Sequence, residues 1–143
     1  MFLWDSCSAT KTQRFKLPRG SRGVSACGIS VDGSMIAAAD LHDKHKVHMF
    51  SSAGDLKWCN NGSGDKILDL AFNRKEGTTN FATAGRKHIA FWDESGDKKN
   101  GIFGSEDRTS FSCVTWCKQG MCYTGGANGK LYTWEGNTCK SSV

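Results

Sequence analysis

A chain of 143 residues is long enough to bury one hydrophobic core, and 38% hydrophobic with 23% charged residues lies outside both disordered and membrane-spanning compositions. No run approaches the roughly 18 consecutive apolar residues of a membrane helix, and Met1 to Ser8 has neither the basic start nor the apolar stretch of a secretion signal. The net charge of +5 favours an acidic partner without choosing among nucleic acid, anionic lipid and protein. Seventeen glycines against one proline indicate many tight turns between short strands. Seven cysteines, an odd number spread over apolar segments, read as buried thiols in a reducing cytosolic compartment rather than as a disulfide scaffold.

Four segments align on one aromatic position: F-L-W-D at 2 to 5, H-M-F-S at 48 to 51, A-F-W-D at 90 to 93 and Y-T-W-E at 132 to 135. Their register residues Trp4, Phe50, Trp92 and Trp134 are 46, 42 and 42 residues apart. That period is the roughly 40 to 45 residues of a WD repeat, in which four antiparallel strands form one propeller blade. The chain therefore reads as all-β, an incomplete WD40-type β-propeller of about three and a half four-stranded antiparallel blades: the end of one over residues 1–22, then 23–62, 63–105 and 106–143.

In chain order, innermost strands are expected at Val24 to Ser30, Ile67 to Asn73 and Phe111 to Cys117, each followed by a second strand at Met35 to Asp40, Phe81 to Gly85 and Met121 to Gly125. These runs are apolar on both faces or made of small residues, which suits sheets packed between neighbours. More polar outer strands are expected near Lys11 to Lys16, Asp55 to Cys59 and Lys98 to Phe103. Turns at Asp32-Gly33, Ala53-Gly54, Ser95-Gly96 and Asn128-Gly129 each supply a residue that tolerates positive φ.

The polar network of a well-formed repeat, His, Ser or Thr, Asp and Trp, is mostly missing. Thr83 and Thr124 occupy the hydroxyl position, the Asp position reads Lys44, Arg86 and Asn128, and no His precedes the innermost strands of the last two units. Phe50-Ser51 replaces Trp-Asp in the middle unit, which is expected to rely on packing alone; losing every member of a buried network costs less than losing one.

The second half resembles the echinoderm microtubule-associated protein-like family. The residues that carry the resemblance are Lys87-His88-Ile89 running into Phe91-Trp92, Gly101-Ile102-Phe103-Gly104, Tyr123-Thr124-Gly125-Gly126, Asn128-Gly129 and Tyr132-Thr133-Trp134. The similarity is sharp from Leu68 to Gly136 and weaker from Ser30 to Phe50. It implies a non-enzymatic microtubule-associated scaffold of the cytoplasmic cytoskeleton, cilium or axoneme, binding tubulin or another cytoskeletal protein.

Other chemistry finds less support. His42, His45 and His48 lie around an expected polar turn, Leu41 to Lys46, and spacing of three divides them between faces of an extended segment, so a solvated turn is favoured over a zinc site. Cys113, Cys117 and Cys122 lack Cys-x-x-Cys spacing and read as packing residues sharing an inner hairpin. G-G-A-N-G-K at 125 to 130 lacks both the first glycine and the Ser or Thr of a phosphate loop, and no helix follows it. Asp69 interrupts an innermost strand, where it would face a central channel or accept backbone hydrogen bonds. No catalytic residue, cofactor or metal site is expected.

The basic pairs Lys44 and Lys46, Arg74 and Lys75, and Arg86 and Lys87 fall in or near inter-strand turns at comparable places. They are the candidate contacts to an acidic partner, for a microtubule tubulin, with ordinary solvated surface as the other reading. Nucleic acid and membrane are not expected partners; further blades, from the same or another polypeptide, are. A WD-repeat adaptor for a non-cytoskeletal complex is the alternative function.

Overall fold

A computed structural model describes residues 1–143 as fourteen strands and no helix. The strands are β1 Phe2–Trp4, β2 Lys11–Arg14, β3 Val24–Ile29, β4 Met35–Asp40, β5 Val47–Ser51, β6 Leu56–Asn60, β7 Ile67–Phe72, β8 Phe81–Gly85, β9 His88–Trp92, β10 Lys98–Asn100, β11 Phe111–Trp116, β12 Cys122–Gly126, β13 Leu131–Glu135 and β14 Thr138–Ser142. They form a two-stranded sheet β1-β2 and three four-stranded antiparallel sheets, β3 to β6, β7 to β10 and β11 to β14, each in sequence order. The array is an open arc of propeller blades, all-β as expected. Gly33, Gly54, Gly96 and Gly129 have positive φ in the turns the sequence marks.

The core lies in the seams between sheets. Ala37, Ala39, Val47 and Met49 of the second sheet meet Leu70, Phe72, Phe81 and Trp92 of the third; Ala82, Ala84, Ile89 and Phe91, on the third sheet's other face, meet Phe111, Trp116, Tyr132 and Trp134 of the fourth. Side chains alternate across a strand, so β8 and β9 bury both faces, and every residue of both is buried. The alanines of β4 and β8 matter for this. Their small side chains leave room for the large aromatic rings opposite, and a buried Trp such as Trp92 contributes about 3 to 5 kcal/mol over Ala at such a position.

The outer strands differ most from expectation. β2 stops at Arg14 and β10 at Asn100, and β14, for which no outer strand is anticipated, completes the fourth sheet. β10 ends early because its chain changes partners. Gly101 N still donates to Ile89 O within its own sheet, but Ile102 N donates to Asn137 O and Ile102 O accepts from Cys139 N, both at 2.8 Å, in the next sheet. Phe103 then packs edge-on against Trp134 with ring centroids 5.2 Å apart. A Cβ on Gly101 would come 2.6 Å from Ile89 and 3.0 Å from Trp134. The motif Gly101-Ile102-Phe103-Gly104 is thus a latch between two blades.

The cysteines correct another expectation. All seven are free thiols, but only Cys122 and Cys139 are buried; Cys59 and Cys117 are half-buried, and Cys7, Cys27 and Cys113 are exposed. The open arc explains the inner-strand members. Cys27 faces a first blade that has only two strands, and Cys113 lies on the face of the last sheet that no further sheet covers. Cys117 falls beyond β11, in the turn to β12, so it does not share that strand's face with Cys113.

Candidate docking surface

Antiparallel order assigns the loops to two ends of the arc. Connectors between blades and the β4–β5, β8–β9 and β12–β13 turns share one end, called here the β4–β5 end; the β3–β4, β7–β8 and β11–β12 turns and the turns into outer strands share the opposite one. Hydrogen bonds tie the first end together: Ser63 N donates to Lys44 O, and Lys87 N donates to the Ser110 side chain at Oγ.

The β4–β5 turn is built on Asp40. Its carboxylate accepts the amides of His42 and Lys46, each at 2.9 Å, and His48 Nε2 donates to it at 2.9 Å. Both Asp40 and His48 are fully buried. Burial pushes the Asp40 pKa up, but the hydrogen bond from His48 and the two amides outweigh it and leave the carboxyl below its ordinary range. The middle blade therefore does not rely on packing alone. Ala38 and Phe50 stand where the next blade has Thr83 and Trp92, so that polar pair is lost together, and a different buried pair replaces it two residues away.

Under the β8–β9 turn, Trp92 Nε1 donates to Thr83 Oγ1 at 2.9 Å, and the Thr83 hydroxyl is hydrogen-bonded to His88 Nε2 at 2.8 Å. The network is thus less depleted than the sequence implies, because its histidine comes from β9 rather than from before the innermost strand. Burial, reinforced by Lys98 and His45 against the weaker pull of Asp65, pushes the His88 pKa down to about 4, which keeps the imidazole neutral at neutral pH. In the fourth sheet only one bond of this network is present, from Trp134 Nε1 to Thr124 Oγ1 at 2.9 Å.

The structure divides the six candidate basic residues. Lys44, Lys46, Arg86 and Lys87 lie at the β4–β5 end; Arg74 and Lys75 lie in the β7–β8 turn, at the opposite end. A turn after a first strand and a turn after a second strand fall on opposite edges of an antiparallel sheet, so the pairs do not form one stripe. Lys46 is half-buried and the other five are exposed.

Topology reveals a charge asymmetry instead. Loops at the β4–β5 end carry Lys16, Arg19, Arg22, Lys44, Lys46, Lys66, Arg86, Lys87, Arg108 and Lys130 against Asp43, Asp65, Glu106 and Asp107. Loops at the other end carry Asp5, Asp32, Asp55, Glu76, Asp93, Glu94 and Asp97 against Arg74, Lys75 and Lys118. Several of these carboxylates staple their own turns. Asp93 accepts Ser95 Oγ at 2.6 Å and the Asp97 amide at 2.9 Å, and Asp32 accepts Ser30 and Ser34; both pKa values are lowered, first by the serine hydroxyl bonds. Lys66 and Arg108, in two connectors, and Lys130, in the β12–β13 turn, are no part of a basic pair in the sequence. Only the fold brings them to one end.

The three turn-region histidines do not converge: His48 is buried on Asp40, the His45 ring faces the Asp40 carbonyl, and His42 Nδ1 accepts the Lys44 amide. A solvated turn fits His42 and His45 but not His48. Of the clustered cysteines only Cys122 is a buried packing residue. Asp69 accepts backbone hydrogen bonds, from Leu70 N at 2.9 Å and, across the seam, from Val114 N at 2.8 Å. The G-G-A-N-G-K segment is the β12–β13 hairpin.

No family model matches the chain. Over 99% of its length it is 36% identical to a ciliary WD repeat-containing protein, ctxp80, of Euplotoides octocarinatus. It is 31% identical over 95% of its length to the 77 kDa echinoderm microtubule-associated protein of Lytechinus variegatus, and 26% identical over 92% to human echinoderm microtubule-associated protein-like 3. The aligned stretch covers 20%, 22% and 16% of those relatives, so the chain spans about a fifth of their length. In its four-stranded blades, its recurring aromatic register and its sequence, the chain is similar over nearly its whole length to WD-repeat proteins of the echinoderm microtubule-associated protein-like family.

Proposed function

We propose that the chain is part of a non-enzymatic, microtubule-associated scaffold that docks on an acidic protein surface, for a microtubule tubulin, through the basic β4–β5 end. The charge asymmetry between the two ends carries this reading. Packed blades hold Lys44, Lys46, Arg86 and Lys87 in fixed turns, so many weak contacts add without each costing the ordering of a loop. Arg74 and Lys75, set among carboxylates at the opposite end, are outside the docking surface. Names of relatives support a cytoskeletal location, and one of them a ciliary one. The two-stranded first sheet and the uncovered face of the last call for further blades, from the same polypeptide or another.

Co-sedimentation with polymerised microtubules over a series of salt concentrations tests the reading. Binding that weakens with salt, is lost in a Lys44→Glu/Arg86→Glu/Lys87→Glu variant and persists in Arg74→Glu/Lys75→Glu is expected. No co-sedimentation of the folded wild-type protein at low salt would remove it.

A further inference from the structure

Between the connectors that lead into β7 and β11, roofed by the β8–β9 turn, lies a cleft of about 540 Å³. Its lining includes the cations Lys87, Lys98 and Arg108, the hydroxyl residues Ser63 and Thr109, and no carboxylate. We infer that this cleft binds acidic side chains of an extended peptide, making it the specific acceptor within the basic end; the inference rests on the docking role proposed for that end.

The cations are placed but not neutralised. Lys98 Nζ donates to Gly62 O at 2.8 Å and lies 5.7 Å from the centre of the Trp92 ring, so it is held in position without a carboxylate partner. Arg108 lies 5.6 Å over the Phe103 ring, which orients the guanidinium plane and leaves its edge for a carboxylate. The adjacent carboxylate of Asp107 is directed at Lys130 instead, at 3.7 Å. None of Lys87, Lys98 and Arg108 takes part in a protein ion pair. Two positioned cations, Lys98 and Arg108, and the exposed Lys87 around one cleft with no counter-charge form a site whose missing component is an anion.

The surroundings select among anions. Only Ile89 and Phe103 are hydrophobic in the lining, and the Phe103 face is covered by Arg108, so no free aromatic plane is offered to a nucleobase. The cleft is far larger than one carboxylate, and its walls are two chain segments with an open mouth, which suits a chain carrying successive acidic groups. The three cations can take successive carboxylates of such a chain.

Anisotropy of a fluorescent hexaglutamate peptide, titrated with the full chain at low and physiological salt, tests the inference. Hexaglutamine and a single-stranded oligonucleotide serve as comparisons. Hexaglutamate is expected to bind, with affinity falling as salt rises, and to bind at least tenfold more weakly to Lys87→Gln/Arg108→Gln, while Lys118→Gln at the other end is unchanged. Carbodiimide coupling of the peptide to the wild-type protein, followed by peptide mapping, gives a readout independent of any variant's folding and is expected to mark Lys87 or Lys98. Coupling at Lys75 or Lys118, equal binding of hexaglutamine, tighter binding of the oligonucleotide, or no hexaglutamate binding at low salt overturns the inference. Microtubule association that survives Lys87→Gln/Arg108→Gln removes the cleft but not the proposed function; peptide binding without microtubule association does the reverse.

Discussion

The carboxylate of Asp69 in β7 accepts the amide of Val114 in β11 at 2.8 Å, so one innermost strand is hydrogen-bonded to the next by a side chain. Neighbouring blades have no shared ladder, and Val114 N points into the seam. Replacing Asp69 with Ala leaves that amide without a partner and is expected to cost about 2 kcal/mol, whereas Asp69→Asn keeps an acceptor and is expected to cost about half as much. Urea unfolding of both variants checks this; equal costs would show that the carboxylate acts through something other than the amide.

Thr83 and Thr124 occupy the same register position but carry different loads. Thr83→Val strands both Trp92 Nε1 and His88 Nε2, while Thr124→Val strands Trp134 Nε1 alone. The expected destabilisation is about 3 kcal/mol for the first and about 1.5 kcal/mol for the second. Thermal unfolding of the pair, with Trp fluorescence as the probe, gives the comparison.

Acid should destabilise the protein in two stages. The His88 pKa is pushed down from 6.5 to about 4 in the fold, so as pH falls below 6.5 the unfolded chain takes up a proton that the folded chain refuses. Stability contributed by neutral His88 is complete above that range and is lost towards pH 4, by about 3 kcal/mol. Asp40, whose pKa is lowered, adds a loss at still lower pH as its carboxyl protonates in the fold. Urea midpoints measured between pH 7.5 and 4.5 are expected to fall for the wild type and to fall less for His88→Gln. A flat wild-type profile would contradict the assignment.

Thiol labelling should follow the open architecture. In the 143-residue chain by itself Cys7, Cys27 and Cys113 are expected to react fast, with Cys27 and Cys113 slowed where further blades cover them, and Cys122 and Cys139 are expected to react only after unfolding. Burial raises the pKa of both Cys122 and Cys139, which adds a chemical barrier to the steric one. At Cys117 desolvation opposes the thiolate, but the amides of Met121, Gln119 and Gly120 outweigh it and lower the pKa, so this half-buried thiol should label faster than Cys59, whose pKa is raised. Mass spectrometry after a timed maleimide pulse orders the sites.

The blade pattern was legible because it is written in local terms. The aromatic register at Trp4, Phe50, Trp92 and Trp134, and the run of small and apolar residues in a second strand such as Phe81–Gly85, need no partner to be recognised. Outer strands were less legible because their ends depend on neighbours: nothing local to Ile102 says that it bonds Asn137 and Cys139. The same holds for the buried pairs. His48 reads as part of a polar turn until β4–β5 pairing sets it beside Asp40, and the cation cluster of Lys87, Lys98 and Arg108 exists only after three separate segments converge. Basic pairs alone misled, since Arg74-Lys75 and Arg86-Lys87 look alike as dipeptides and differ only in which edge of the sheet their turn closes.

The handover at Ile102 also bears on the order of events during synthesis. A ribosome delivers β7 to β10 well before Asn137 and Cys139, so when the third blade's strands have emerged its latch still has no backbone partners. The rim of that blade closes only when β14 appears, and until then Phe103 has no Trp134 to pack on. A nascent chain whose residues up to about 105 have left the ribosome while Asn137 and Cys139 have not would therefore have one rim unfastened and an apolar latch exposed, the stage at which a chaperone has most to bind.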